Sequence, residues 1–102
     1  MEIQKIQEEA WEILNSYNKK NGIEHNKDTV FYHLIEEVGE LAREIQKEKN
    51  DWRKEGFDKK KLSEELVDIL VQLLYLAKDY NIDIVEAFNK KVKKLKERYE
   101  LE

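Results

Sequence analysis

The segment HLIEEVGELAREI, residues 33–45, decides how this chain folds. Its apolar residues recur every three or four positions, which predicts an amphipathic helix. Three glutamates, Glu36, Glu37 and Glu40, nevertheless lie in its centre, with Gly39 among them. A glycine inside a helix costs about 1 kcal/mol relative to alanine. Close packing against another helix and clearance for a ligand or metal would each explain the glycine, and both interpretations stay open.

The same spacing extends along the chain and predicts four helices and no strands. We expect the helices at residues 2–21, 29–47, 59–80 and 84–99. Gly22 is placed to end the first helix and Asp28 to cap the second. Asp83 with Glu86 fits a capping box for the fourth. A loop containing Trp52 is expected between the second and third helices.

The composition agrees with an all-α protein. The chain has 102 residues, no proline, three glycines, 41% charged residues and a net charge of −4. This length suits one domain, residues 1–102. The acidic balance argues against DNA or RNA binding. Because there is no cysteine, no apolar run of transmembrane length and no signal-peptide pattern, we expect a cytoplasmic protein with no membrane association.

The third predicted helix is apolar on two sides. One stripe is Leu66, Ile69, Leu70, Leu73, Leu76 and Ala77, and the other is Val67, Val71 and Leu74. A helix apolar over most of its circumference is buried from several directions, and a chain this short has few helices to bury it. We therefore expect a four-helix bundle-like protomer completed by dimerisation, as a homodimer or homotetramer. A narrow polar stripe, Glu65, Asp68 and Gln72, interrupts the apolar surface.

Two pairs of carboxylates are spaced three residues apart, Glu37 with Glu40 and Glu65 with Asp68, so each pair shares a helix face. If the second and third helices pack antiparallel, the pairs face each other, and their charges repel and lose hydration. A divalent cation removes both costs, and oxygen ligands favour Mg²⁺, with Mn²⁺ as a substitute. The same spacing recurs elsewhere in this acidic chain, where a solvated helix face explains it.

The motif EEVGE at residues 36–40, followed by ELVD at residues 65–68, resembles the EExxE…ExxD signature of the MazG-like all-α nucleoside triphosphate pyrophosphohydrolases. The segments LIEEVGELAREI, SEELVDILVQLLYLAKDYNIDIVEAF and KERY follow the family's order and spacing over about residues 31–99. The resemblance implies a helical bundle completed by dimerisation. It also implies Mg²⁺-dependent hydrolysis of ribo- or deoxyribonucleoside triphosphates to the monophosphate and pyrophosphate, with non-canonical nucleotides among the candidate substrates.

Carried onto this sequence, the resemblance implies four metal ligands: Glu37, Glu40, Glu65 and Asp68. Glu36 is the first acid of the signature and would orient or deprotonate the attacking water. An exposed, salt-bridging Glu36 explains that residue equally well.

Lys91, Lys94 and Arg98 share one stripe of the fourth helix and would reach the triphosphate, although a solvated helix face is the alternative. Two positions depart from the family pattern. Leu95 stands where many members have asparagine, and Lys47 stands where members resembling dCTP pyrophosphatases have tryptophan. The base and sugar preference is therefore not assigned.

Two other interpretations remain. A non-catalytic helical module that binds a nucleotide or a protein is favoured by the apolar third helix and by Leu95. A di-iron carboxylate bundle is weakened because its Glu-x-x-His element is absent from the sequence. Among the aromatic residues, we expect Trp11 in the core, whereas Trp52 is a better candidate than Tyr32 for stacking on a base or contacting a second subunit.

Overall fold

The computed structural model describes residues 2–49 and 56–102, in which the backbone forms helices and no strand. The helices are α1, Ile3–Lys20; α2, Lys27–Lys49; α3, Lys59–Asp79; and α4, Ile84–Arg98. The all-α prediction is confirmed, and every helix boundary lies within two residues of the predicted one. The predicted loop after α2 falls largely outside the described residues, and so does Trp52.

α1 ends at a glycine, as predicted. Gly22 has φ +64°, and the N–H of Ile23 donates to the carbonyl of Asn18 at 2.8 Å. This closing bond, with Gly22 in the left-handed region, is the Schellman arrangement. The chain therefore turns sharply here and begins the α1–α2 loop, residues 21–26.

The cap of α2 differs from the prediction. Asn26, not Asp28, caps the helix, because its Oδ1 accepts from the N–H of Asp28 at 2.8 Å and of Thr29 at 3.4 Å. Asp28 lies inside the first turn, where its negative charge suits the helix dipole. Both residues are good caps in isolation, so the pattern alone did not separate them.

Asp83 caps α4 as predicted, but the second half of the predicted capping box, from Glu86, is not formed. Asp83 Oδ1 accepts from the N–H groups of Val85 and Glu86, each at 3.1 Å. The reciprocal half of the predicted capping box is replaced by an ion pair, since the Glu86 side chain meets Lys90 at 2.8 Å.

α3 is the central helix and packs against both α2 and α1, whereas α4 packs chiefly on α1. The buried apolar side chains are Ala10, Leu74, Tyr75 and Ala77. Trp11, expected in the core, is half-buried and stacks on Tyr75 with ring centroids 4.8 Å apart, so it packs at the edge of the core. This arrangement leaves one side of α3 for α2 and another for α1.

A large apolar surface stays exposed on the α2–α3 pair. We call it the apolar face; its members are Phe31, Ile35, Val38, Leu66, Leu70 and Leu73, each at least 40% exposed. A Cβ built on Gly39 would meet nothing within 4 Å. Close packing among the described residues is therefore not the reason for this glycine. No helix in the described ranges is long and apolar enough to cross a membrane.

Candidate metal centre

The order of the contacts between α2 and α3 shows that the two helices pack antiparallel, the condition under which the carboxylate pairs were expected to face each other. Glu44, late in α2, meets Asp58 at the start of α3. Glu37, earlier in α2, meets Glu65 and Asp68, further along α3. The two helices therefore run in opposite directions and place their carboxylates along one interface.

The structure brings together three of the predicted ligands. Glu37, Glu65 and Asp68 each offer a carboxylate oxygen, and these oxygens lie within 4.8 Å of one another. Helical spacing explains the arrangement, because Glu65 and Asp68 are one turn apart on α3 and face α2 together. We call these three residues the carboxylate cluster.

The cluster lacks donors for two of its atoms. Glu37 Oε2 and Glu65 Oε2 are buried, and neither has a hydrogen-bond partner among the described residues. A buried carboxylate oxygen without a partner is costly, because the hydration that it loses is not replaced. We call these two atoms open acceptors, because a donor or a cation that bound them would replace the lost hydration.

The electrostatics of the cluster agree with this geometry. Burial, and then the negative charges of Glu40 and Glu37, raise the pKa of Glu65 from 4.5 to about 7. Burial, and then the charges of Glu40 and Asp68, also raise the pKa of Glu37. Below about pH 7 Glu65 consequently holds a proton that a bound cation would displace.

The fourth predicted ligand, Glu40, is exposed at the edge of the cluster. Its charge is felt strongly by Glu65, which places the two carboxylates close together. Glu36 faces solvent with its side chain 73% exposed, and its Oε2 lies 3.8 Å from Nδ1 of His33. Glu40 thus adjoins the cluster, whereas Glu36 stands outside it.

The three cations predicted on α4 are exposed. No contact in the described part of the chain joins Lys91, Lys94 or Arg98 to the carboxylates. The strongest charge effects on the pKa values of Glu37 and Glu65 all come from α2 and α3. A phosphate role for these cations stays a prediction.

His33 is a neighbour of the cluster that the sequence interpretation missed. Its Nε2 lies 3.3 Å from Oε1 of Glu37, one helical turn away. The imidazole lowers the pKa of Glu37, but burial and the nearby carboxylates outweigh it. The spacing of four residues between His33 and Glu37 was the available signal.

Glu44, also missed, continues the same face of α2 and is 2% exposed. Its Oε1 accepts from the backbone N–H of Asp58 at 3.1 Å, and its Oε2 lies 3.2 Å from Nζ of Lys47. Burial alone would raise the pKa of Glu44, but the Asp58 N–H and the Lys47 ammonium outweigh it and lower the pKa below 4.5. This carboxylate is fully satisfied by the protein.

A cavity of about 250 Å³ lies beside the cluster. Its walls come from the end of α1, the α1–α2 loop, the first turns of α2, and α3. Gln72 and Tyr75 belong to its α3 wall, and His33, which also meets Glu37, joins it to the cluster. Gln72 follows Asp68 by one turn, so the polar stripe on α3 passes from the cluster into the cavity.

The donor set of the cluster fits a hard divalent cation. Its ligands are all carboxylate oxygens, which suit Mg²⁺ or Mn²⁺. Two oxygens on opposite sides of a Mg²⁺ ion lie about 4.2 Å apart, because each bond is about 2.1 Å. A separation of at most 4.8 Å is close to that value, and the two open acceptors would gain a partner.

Comparison with known proteins adds one positive finding. A family described as the MazG nucleotide pyrophosphohydrolase domain matches residues 25–101. That range contains both carboxylate motifs and the cavity-lining residues of α2 and α3. No curated protein and no solved structure matches the chain.

Proposed function

The chain belongs to the MazG nucleotide pyrophosphohydrolase family, and on that premise we propose that it hydrolyses nucleoside triphosphates to the monophosphate and pyrophosphate with the help of Mg²⁺. Mn²⁺ would serve as a substitute. Modified or otherwise non-canonical nucleotides belong to the same proposed substrate class.

One observation carries this proposal. Glu37 and Glu65 approach each other from different helices, and each keeps a buried oxygen without a hydrogen-bond partner. A helical module that only bound another protein would gain nothing from such a cluster, since repulsion and lost hydration both destabilise it. A site that binds a cation and a polyphosphate recovers that energy when it is filled.

Glu37, Glu40, Glu65 and Asp68 would hold the ion. When bound, a divalent cation offsets charge on the phosphate oxygens and lowers the pKa of a bound water. Glu36, exposed beside the cluster, would accept a proton from the water that attacks the α-phosphorus. The attack is in line with the departing pyrophosphate, so correct positioning supplies much of the rate.

The nucleoside part of the substrate would lie in the cavity. Its volume of about 250 Å³ is below that of sites for whole drug-sized ligands, so it suits a base better than an entire triphosphate. The phosphates would then extend past His33 towards the cluster. Lys91, Lys94 and Arg98 would contact those phosphates from a second copy of the chain or after a rearrangement of α4.

The apolar face supports a proposed homodimer or homotetramer. Monomeric proteins rarely expose a contiguous apolar surface of this kind. A second copy would bury it, and close approach of that copy at Gly39 would explain the glycine. Sedimentation velocity of the wild type and of Leu70→Lys tests this, because a dimer should dissociate in the variant, whereas a monomeric wild type would contradict it.

Product analysis tests the proposed reaction. The protein is incubated with a panel of ribo- and deoxyribonucleoside triphosphates and Mg²⁺, and the products are separated by ion-exchange chromatography. We expect monophosphate and pyrophosphate, with no turnover after EDTA or in Glu37→Gln. Diphosphate with orthophosphate would mean a different triphosphatase, and no turnover of any nucleotide would favour the non-catalytic module.

A further inference from the structure

The α1–α2 loop, residues 21–26, forms one wall of the cavity through Ile23, Glu24 and Asn26. The loop is exposed, and its backbone bonds at Gly22 and Ile23 return only to α1. Asn26 uses its side chain to cap α2. These local bonds shape the two ends of the loop but do not connect it to the opposite wall.

His25 makes that connection. Its Nε2 lies 2.8 Å from Oδ2 of Asp79, and its Nδ1 lies 2.9 Å from the hydroxyl of Tyr75. Because a carboxylate only accepts, the Nε2–H donates to Asp79, and Nδ1 forms the second hydrogen bond, with the oxygen of the phenol. Both nitrogens are thus used, and both partners belong to α3.

Tyr75 is a rigid anchor for this histidine. Its side chain is 1% exposed, and its ring is held by stacking on Trp11. Its hydroxyl donates to Oδ1 of Asn15 at 2.8 Å. Burial, and then the charge of Asp79, raise the pKa of Tyr75, so the phenol keeps its proton for hydrogen bonding.

The polar stripe on α3 continues beyond Gln72 to Tyr75 and Asp79, and its successive residues have three roles. Glu65 and Asp68 belong to the carboxylate cluster, Gln72 and Tyr75 line the cavity, and Tyr75 with Asp79 receives His25. Two residues after His25, Lys27 places its Nζ 4.1 Å from the centre of the Tyr80 ring, which ties the start of α2 to the same end of α3.

We propose that His25 is a positioning residue: held between Tyr75 and Asp79, it fixes the α1–α2 loop as a wall of the cavity and so sets the affinity for the nucleoside part of the substrate. The inference rests on the proposed function, because it takes the cavity to be the nucleoside site. Its effect falls on binding and not on phosphoryl transfer, since His25 is not among the residues of the carboxylate cluster.

Two variants and one matched control test it. His25→Ala removes both hydrogen bonds, and Tyr75→Phe removes one of them while it keeps the stacked ring. Glu8→Gln is the control, because it weakens the Lys78–Glu8 ion pair between α1 and α3 without touching the loop. Hydrogen–deuterium exchange of residues 21–26 reports the wall directly. Calorimetric Kd values for α,β-methylene nucleoside triphosphate analogues report binding without turnover.

We expect Tyr75→Phe to speed exchange in the loop and to raise Kd and KM about fivefold, the change that follows from one lost hydrogen bond, and we expect a larger increase for His25→Ala, which loses both bonds. The value of kcat should stay within about twofold, and Glu8→Gln should match the wild type. His25→Gln, which can still donate to Asp79, should recover part of the affinity.

Unchanged loop exchange in both variants would overturn the inference, as would a fall in kcat with KM unaltered. If the wild type binds none of the analogues, the cavity is not a nucleoside site and the inference is wrong. If the analogues bind and the Kd values shift as expected but no triphosphate is hydrolysed, only the proposed reaction fails.

Discussion

The α2–α3 interface holds two sets of acids that the protein treats in opposite ways: the buried Glu44, and the half-buried Glu37 and Glu65. Glu44 has a partner for each oxygen, the Asp58 N–H and the Lys47 ammonium. Glu37 and Glu65 each bury an oxygen that the described residues leave without a hydrogen-bond partner. The two groups lie on the same pair of helices, so burial between α2 and α3 does not by itself explain the difference.

The pKa values follow the same division. The pKa of Glu44 is lowered and that of Glu65 is raised to about 7. A carboxylate supplied with donors by its own chain stabilises the fold, as Glu44 does by joining α2 to the start of α3. The cluster, in which Glu37 and Glu65 each keep a buried oxygen without a partner among the described residues, is where we propose that a cation binds. The contrast separates structural acids from functional ones.

The largest expected effect comes from Glu65→Gln. The substitution keeps the size of the side chain and removes a charge that the proposed cation needs, so kcat/KM should fall about a hundredfold or more. Glu44→Gln is the matched control on the same interface and should retain most of the activity per folded molecule. Steady-state kinetics on both variants tests this. An equal fall in kcat/KM in the two variants would contradict the distinction between Glu44 and the cluster.

The second largest expected effect is a loss of stability when Glu44 is replaced. Glu44→Ala leaves the Asp58 N–H and the buried Lys47 ammonium without this acceptor, so the midpoint of urea unfolding should drop clearly. In the absence of divalent cations, Glu65→Gln should not lower that midpoint, because it removes repulsion. A greater loss of stability in Glu65→Gln than in Glu44→Ala would reverse the assignment.

The pH dependence of stability sharpens the comparison further. Glu65 has a folded-state pKa of about 7 against 4.5 ordinarily, so its contribution to the free energy of unfolding is fully present below pH 4.5 and is lost as the pH rises through about 7. Glu44, with its lowered pKa, contributes above pH 4.5 and loses that contribution as the pH falls through its folded-state value.

Urea midpoints measured in EDTA across this range, for the wild type and for each Gln variant, would show the two dependences. The difference between wild type and Glu65→Gln should change between pH 4.5 and about 7. The difference between wild type and Glu44→Gln should change only in acid. The same profile for both variants would contradict the opposite pKa directions.

The smallest expected effect is that of Gly39→Ala. A Cβ at this position meets open space in the chain, and alanine favours the helix by about 0.5–1 kcal/mol, so the isolated protomer should be slightly stabilised. If activity or dimerisation falls while stability rises, the glycine provides clearance for a ligand or a second copy. A variant unchanged in both respects would remove Gly39 from either role.

Helical periodicity predicts which carboxylates share a helix face, whereas the resemblance to the MazG-like family singled out Glu37, Glu40, Glu65 and Asp68 among several pairs of the same spacing. The spacing of Glu37, Glu65 and Asp68 fixes the faces on which they lie, and only the antiparallel packing of α2 and α3 had to be supplied by the fold. Glu44 was not predictable in the same way, because its partner is the backbone N–H at the start of α3. That contact depends on which residue at the start of α3 lies beside Glu44, and helical periodicity within α2 does not determine this.

The α1–α2 loop and His25 show the same limit. His25 lies in a loop, where no periodicity assigns a direction to a side chain, and its partners Tyr75 and Asp79 are distant in sequence. The signal that was available is the continuation of the α3 stripe from Asp68 through Gln72 to Tyr75. Polar residues at helical spacing inside an apolar segment indicate that this face of the helix borders a site or cavity. They do not identify the ligand that binds there.

Isothermal titration calorimetry with Mg²⁺, above neutral pH, tests most directly whether the cluster is a cation site. The wild type and Glu44→Gln should both bind the ion with saturable heat, and Glu65→Gln should show little or none, because only the last variant alters an open acceptor of the cluster. Equal binding by all three proteins would place the ion elsewhere. The absence of binding to the wild type would contradict the assignment of a metal centre to Glu37, Glu65 and Asp68.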